Sequence, residues 1–124
     1  IVPIQAALWV NDTRLYLRKK SLQEWAYSVT EEVTPDGECE ALTLSTIFHK
    51  YSAGGFYVMK IDVEGTEQQL FENPEFLQSL RLAKIIGLEI HDDKASRNKI
   101  QDTLGGLGYT ISNQGELTLA IKPH

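Results

Sequence analysis

Apolar and polar residues alternate in short runs along much of this chain, and in a few places the spacing lengthens to three or four. Val2-Pro3-Ile4-Gln5-Ala6-Ala7-Leu8-Trp9 reads as a short strand, with Pro3 tolerable only near its start. Asn11-Asp12 is a turn signal, and Arg14-Leu15-Tyr16-Leu17-Arg18 alternates as a half-exposed strand does. Residues 19–40 are polar and include Thr34-Pro35-Asp36-Gly37, which predicts a long loop with one helical turn around Leu22 to Tyr27. Glu40 to Leu44 predicts a brief strand. A helix follows from Ser45, carrying Ile47, Phe48 and Tyr51 and closed by Ala53-Gly54-Gly55.

The next run, Phe56-Tyr57-Val58-Met59-Lys60-Ile61, is largely apolar and stops abruptly in Asp62-Val63-Glu64-Gly65. Thr66 to Glu72 predicts one short helix. Asn73-Pro74-Glu75 then looks like a fresh N-cap with proline at the first helical position, opening a second helix to Leu80. Ala83 to His91 is the next strand, and Ser96 to Leu107 a helix with Ile100, Leu104 and Leu107 on one face. Tyr109 to Ser112, the turn Asn113-Gln114-Gly115 and Glu116 to Ile121 give a hairpin signal. The order strand, helix, strand, helix, strand, strand predicts an α/β domain whose sheet is mostly parallel and ends in an antiparallel hairpin.

At 124 residues and 42% hydrophobic content, the chain predicts one domain with a real core. A net charge of -5, with basic clusters only at Arg18-Lys19-Lys20 and Lys94/Arg97/Lys99, argues against nucleic acid as the main partner. No stretch approaches the roughly 18 consecutive apolar residues of a membrane span, and no signal peptide is visible. The lone Cys39 cannot form an internal disulfide and has no nucleophile motif around it, so a cytoplasmic, reducing setting and an ordinary thiol are expected.

In an open parallel α/β sheet, ligands sit outside the carboxyl ends of the strands. Asp62 and Glu64 end one predicted strand, and Glu89, His91 and Asp92 end the next. Side by side, the two strands bring these groups to one rim.

From Met59-Lys60-Ile61-Asp62-Val63-Glu64-Gly65-Thr66-Glu67 onward, with Leu88-Glu89-Ile90-His91 about 20 residues later, the chain resembles the FkbM-type methyltransferases, a branch of the S-adenosylmethionine-dependent Rossmann-like enzymes. Ala6-Ala7-Leu8, Leu42-Thr43-Leu44-Ser45 and Leu107-Gly108-Tyr109 are weaker echoes in the same order. The resemblance implies a class I methyltransferase sheet. It also implies that the first strand, with its glycine-rich turn, and the acid ending the second strand lie outside this chain. Ile1 would then fall near the third strand of an incomplete domain.

Methyl transfer to a hydroxyl needs alignment of donor and acceptor and removal of the acceptor proton. The resemblance assigns His91 as general base, Glu89 as the group that orients it or holds a substrate hydroxyl, and Asp62 to the rim between methyl donor and acceptor. Asp62, Ala7 and Leu8 are its cofactor-side candidates, and Gly65 and Thr66 offer backbone N–H groups to a ligand. A magnesium variant built from Asp62, Glu89 and Asp92 is the less favoured mechanism, because His91 provides a metal-free base.

The expected activity is O-methylation of a sugar or small natural product. The alternative is a catalytically incompetent fragment acting as an association module, forming a homo-oligomer through the sheet edge exposed beside Val58 to Ile61. A weaker third reading is a nucleotide-sugar processing subunit. No membrane partner is expected.

Overall fold

The computed structural model describes residues 2–19, 27–51, 58–63, 66–90 and 94–123, and its residues group into two compact units, Ile1–Tyr51 and Ser52–His124. Each unit carries its own four-stranded mixed sheet.

The first unit holds β1 (Ala7–Leu8), β2 (Thr13–Lys19), β3 (Tyr27–Thr30), β4 (Glu38–Leu42) and α1 (Leu44–Tyr51). Its sheet runs β1-β4-β2-β3, with β1 parallel to β4 and the other two ladders antiparallel. Leu15 is fully buried at the centre of the alternating strand β2, where it packs with Trp9 and Ala41; Ala7, Val10, Val29 and Cys39 border this cluster. The start of α1 is fixed by side chains. Thr43 Oγ1 accepts from the Thr46 backbone N–H at 3.0 Å as an N-cap does, while Asp12 accepts from the Thr43 N–H at 2.8 Å and from the Thr46 hydroxyl at 2.6 Å.

The predicted loop over 19–40 differs from the structure in its second half. Tyr27–Thr30 pairs with β2 in the register Tyr16↔Thr30 to Lys19↔Tyr27, and Glu38 already belongs to β4. Tyr27-Ser28-Val29-Thr30 alternates and carries strand-forming Tyr, Val and Thr, but it is only four residues long within a polar stretch; the β2 edge supplies the hydrogen bonds that make it a strand. The turn before β4 is pinned to β2 as well, since the Leu17 N–H donates to the Gly37 carbonyl and the Thr34 hydroxyl to the Leu17 carbonyl. The expected helical turn at Leu22 lies outside the described residues.

The second unit holds β5 (Val58–Ile61), α2 (Glu67–Phe71), α3 (Pro74–Leu80), β6 (Ile85–Glu89), α4 (Lys94–Gly106), β7 (Thr110–Gln114) and β8 (Leu117–Ile121). The sheet order is β5-β6-β8-β7: a parallel β5–β6 pair, then the hairpin, with β8 lying antiparallel beside β6. The expected mostly parallel sheet is therefore not what the described strands form. Each sheet has one parallel ladder and two antiparallel ones. The hairpin is the reason in the second unit, because a two-residue Gly115-Glu116 turn, with Gly115 at φ 66°, forces antiparallel pairing at once.

One face of this sheet is the buried one. Ile61, Ile86, Leu88, Thr118 and Ala120 alternate along their strands and are closed off from solvent, as are Leu70, Phe71, Phe76, Leu80, Ile100 and Leu104 from the helices. Phe71 and Phe76 meet edge-on, 5.4 Å between centroids. The predicted α3 is found with the chemistry expected: Asn73 Oδ1 accepts from the Phe76 N–H at 2.8 Å, and Pro74 takes the first helical position. Tyr109 anchors the hairpin entry, its buried hydroxyl donating to the Ala83 carbonyl with the Leu80 carbonyl 3.1 Å away. No helix among the described residues is long and apolar enough to cross a membrane.

Candidate functional site

The register of the parallel pair places the site. Val58 pairs with Ile85, Met59 with Ile86, Lys60 with Gly87 and Ile61 with Leu88; Asp62 and Glu89 are the residues that follow the last pair. Parallel strands share their carboxyl ends, and Glu89 is the last residue of β6. Asp62 is exposed one residue past β5. Alternation turns Lys60 and Glu89 to the face opposite Ile61 and Leu88. The contact between Lys60 Nζ and Glu89 Oε1, 3.9 Å, agrees with this. At 65% and 36% side-chain exposure that ion pair adds little to stability, and its use is to hold the Glu89 carboxylate at the rim.

On the far side Glu89 pairs with Leu117, the first residue of β8. The rim therefore runs from Asp62 through Glu89 to the hairpin, a line of two carboxylates flanked by one cation and one apolar side chain. Such a set can accept hydrogen bonds from ligand hydroxyls and orient them. His91, Asp92, Glu64 and Gly65 lie outside the described residues, so the predicted base, the third oxygen ligand of the magnesium variant and the glycine after β5 have no described position. Among the described residues no group of three or more His, Cys, Asp or Glu side chains is placed to hold a metal ion.

The short helix predicted from Thr66 to Glu72 spans only Glu67–Phe71; Thr66 stands just before it and makes no side-chain cap. Glu67, in the first turn of α2, is fully buried. The cofactor-side candidates Ala7 and Leu8 are half-buried in β1 of the first unit, paired with Ala41 and Leu42 of β4. Trp9 next to them is buried in that unit's core cluster. Cys39 is half-buried, and burial raises its thiol pKa, which suits the ordinary thiol expected.

Comparison of the chain with protein-family models, curated proteins and solved structures found no match.

Sequence reasoning missed a second polar concentration in this unit. Lys94, Arg97, Asn98, Gln101 and Asn113 line an open groove of about 450 Å³ between α4 and the hairpin. Its one advance signal was the loose Lys94/Arg97/Lys99 cluster. Asn113 read only as a turn residue, and nothing in the sequence tied it to α4.

Proposed function

We propose that the chain is the acceptor-side part of an S-adenosylmethionine-dependent methyltransferase of the FkbM type, acting on a hydroxyl of a sugar or small natural product. The observation that carries this reading is the parallel β5–β6 register, whose last pair, Ile61 with Leu88, directly precedes Asp62 and Glu89 at the carboxyl ends of the two strands. The parallel pair followed by an antiparallel hairpin supports the class I sheet the motifs resemble. S-adenosylmethionine supplies an electrophilic methyl on sulfonium. Asp62 and Glu89 accept hydrogen bonds from the sugar hydroxyls and turn the reacting oxygen toward the donor, and His91 takes its proton. Lys60 stands beside Glu89 on this rim, its Nζ 3.9 Å from Oε1.

The exposed carboxylate of Asp62 fits a neighbour that offers hydroxyl or ammonium donors.

The test is methyl transfer from labelled donor to a panel of sugars by the full-length parent protein, with Asp62→Asn, Glu89→Gln and His91→Ala beside it. Loss of turnover of about a hundredfold in His91→Ala, the usual scale of a general base, supports the assignment. Undiminished transfer in all three variants refutes it.

The association-module reading draws on a different observation. Among the described residues β5 pairs only with β6, and Val58 on that edge strand is 66% exposed. A dimer that dissociates on Val58→Lys, in a protein that transfers no methyl group, favours that reading instead.

A further inference from the structure

The groove between α4 and the hairpin is built on a fixed polar floor. Thr118 is 1% exposed, and its Oγ1 accepts from Gln101 Nε2 at 3.0 Å. Gln101 Nε2 also donates to Asn113 Oδ1 at 2.7 Å, and the Thr118 hydroxyl faces the same oxygen at 3.4 Å. Both bonds engage the carbonyl side of the Asn113 amide, which leaves its NH2 as the outward donor. Above this floor stand Lys94 and Arg97. Among the described residues the ion pairs join Arg14 to Glu38, Arg18 to Glu32, Lys60 to Glu89 and Lys99 to Glu72; Lys94 and Arg97 belong to none of them. Arg97 is half-buried, and its guanidinium reaches the Ile90 carbonyl at 3.5 Å, which leaves further N–H donors for a ligand.

We propose that this groove is a binding site for the oxyanion of a small molecule, a phosphate or carboxylate group held by Lys94 and Arg97 and by the Asn113 amide. In a chain of net charge -5, two cations and a preset amide donor converging on one concave surface select an anion against the field of the whole protein. The volume, about 450 Å³, lies within the range of small-ligand pockets. The groove also sits at the same end of the sheet as Glu89. Thr118 pairs with Leu88 and Asn113 with Thr118, one register step from Glu89 and on the opposite face. Binding of the anion is measured without methyl donor, so the site stands or falls apart from the methyl-transfer reading.

Calorimetric titration of the full chain with sodium pyrophosphate and, separately, with citrate at low ionic strength tests the site. Saturable binding that weakens with added salt is expected, and the tighter of the two ions tells a phosphorylated ligand from a polycarboxylate. Asn113→Asp keeps both acceptor bonds to the floor and turns a carboxylate oxygen outward; it should weaken binding by about tenfold or more, as should Arg97→Gln. Arg97→Lys should recover part of the loss, and Arg14→Gln, in the other unit, should change nothing. Absence of saturable binding at millimolar anion, or equal affinity in the wild type and Asn113→Asp, overturns the proposal.

Discussion

Replacing Tyr109 by phenylalanine removes one oxygen and little else. The ring stays in place at 5% exposure, and the Lys122 ammonium, 5.3 Å from its centroid, keeps its aromatic partner. The loss falls on the bond from the Tyr109 hydroxyl to the Ala83 carbonyl and on its proximity to the Leu80 carbonyl, 3.1 Å away. Ala83 is fully buried, so its carbonyl, once its donor is lost, has little water to turn to, whereas the Leu80 carbonyl keeps the Ala83 N–H at 3.0 Å.

A net hydrogen bond plus partial desolvation of the orphaned acceptor predicts a loss of about 1.5 kcal/mol. For a unit of this size unfolding in urea, that lowers the midpoint by roughly 1 M with the slope unchanged. The assay is urea unfolding followed by circular dichroism, repeated across alkaline pH. Burial pushes the Tyr109 phenol above its ordinary 10.0, opposed by the nearby Arg81. The neutral phenol is the form the fold favours. Its contribution is therefore whole below pH 10 and is lost as pH rises through the raised value. The wild type should converge on Tyr109→Phe in that window. A variant within about 0.3 kcal/mol of the wild type at neutral pH, too small for a buried bond, would refute the reasoning.

Two further outcomes follow from the helix starts. Asn73→Ala should cost about 1 kcal/mol by leaving the Phe76 N–H without its cap, read as a lower urea midpoint; an unchanged midpoint counts against the cap. Asp12 is held below its ordinary 3.8, first by the Thr46 hydroxyl and next by the Thr43 N–H. Its contribution is present above pH 3.8 and is lost as pH falls through the lowered value, so Asp12→Asn should be the less stable protein near neutrality and lose that disadvantage in acid. A stability difference between the two that does not vary with pH contradicts the assignment.

The second half of the chain was the more legible. Asn73-Pro74, Gly115 and the alternation through Ile86 and Leu88 each act through local chemistry: a cap, a turn, a period of two. Those elements appear close to where the sequence predicts them. Tyr27–Thr30 was missed because its alternation runs for only four residues inside a polar stretch, and its pairing partner is the β2 edge. The rim was half legible. Two acids at the ends of two apolar runs could be read directly, but only the parallel pairing of Ile61 with Leu88 puts those two run ends next to one another.

By itself, then, the sequence determined the mixed α/β class, the helix starts, the hairpin and the carboxylates at the strand ends. Each depends on residues a few positions apart, where steric and hydrogen-bonding preferences act directly. Only the tertiary structure decided that the strands form two mixed sheets, that Lys60 reaches Glu89 and that Asn113 locks against Gln101 of α4. Those pairings join residues far apart along the chain. They are selected by which apolar faces bury together, and that choice is a property of the packed molecule.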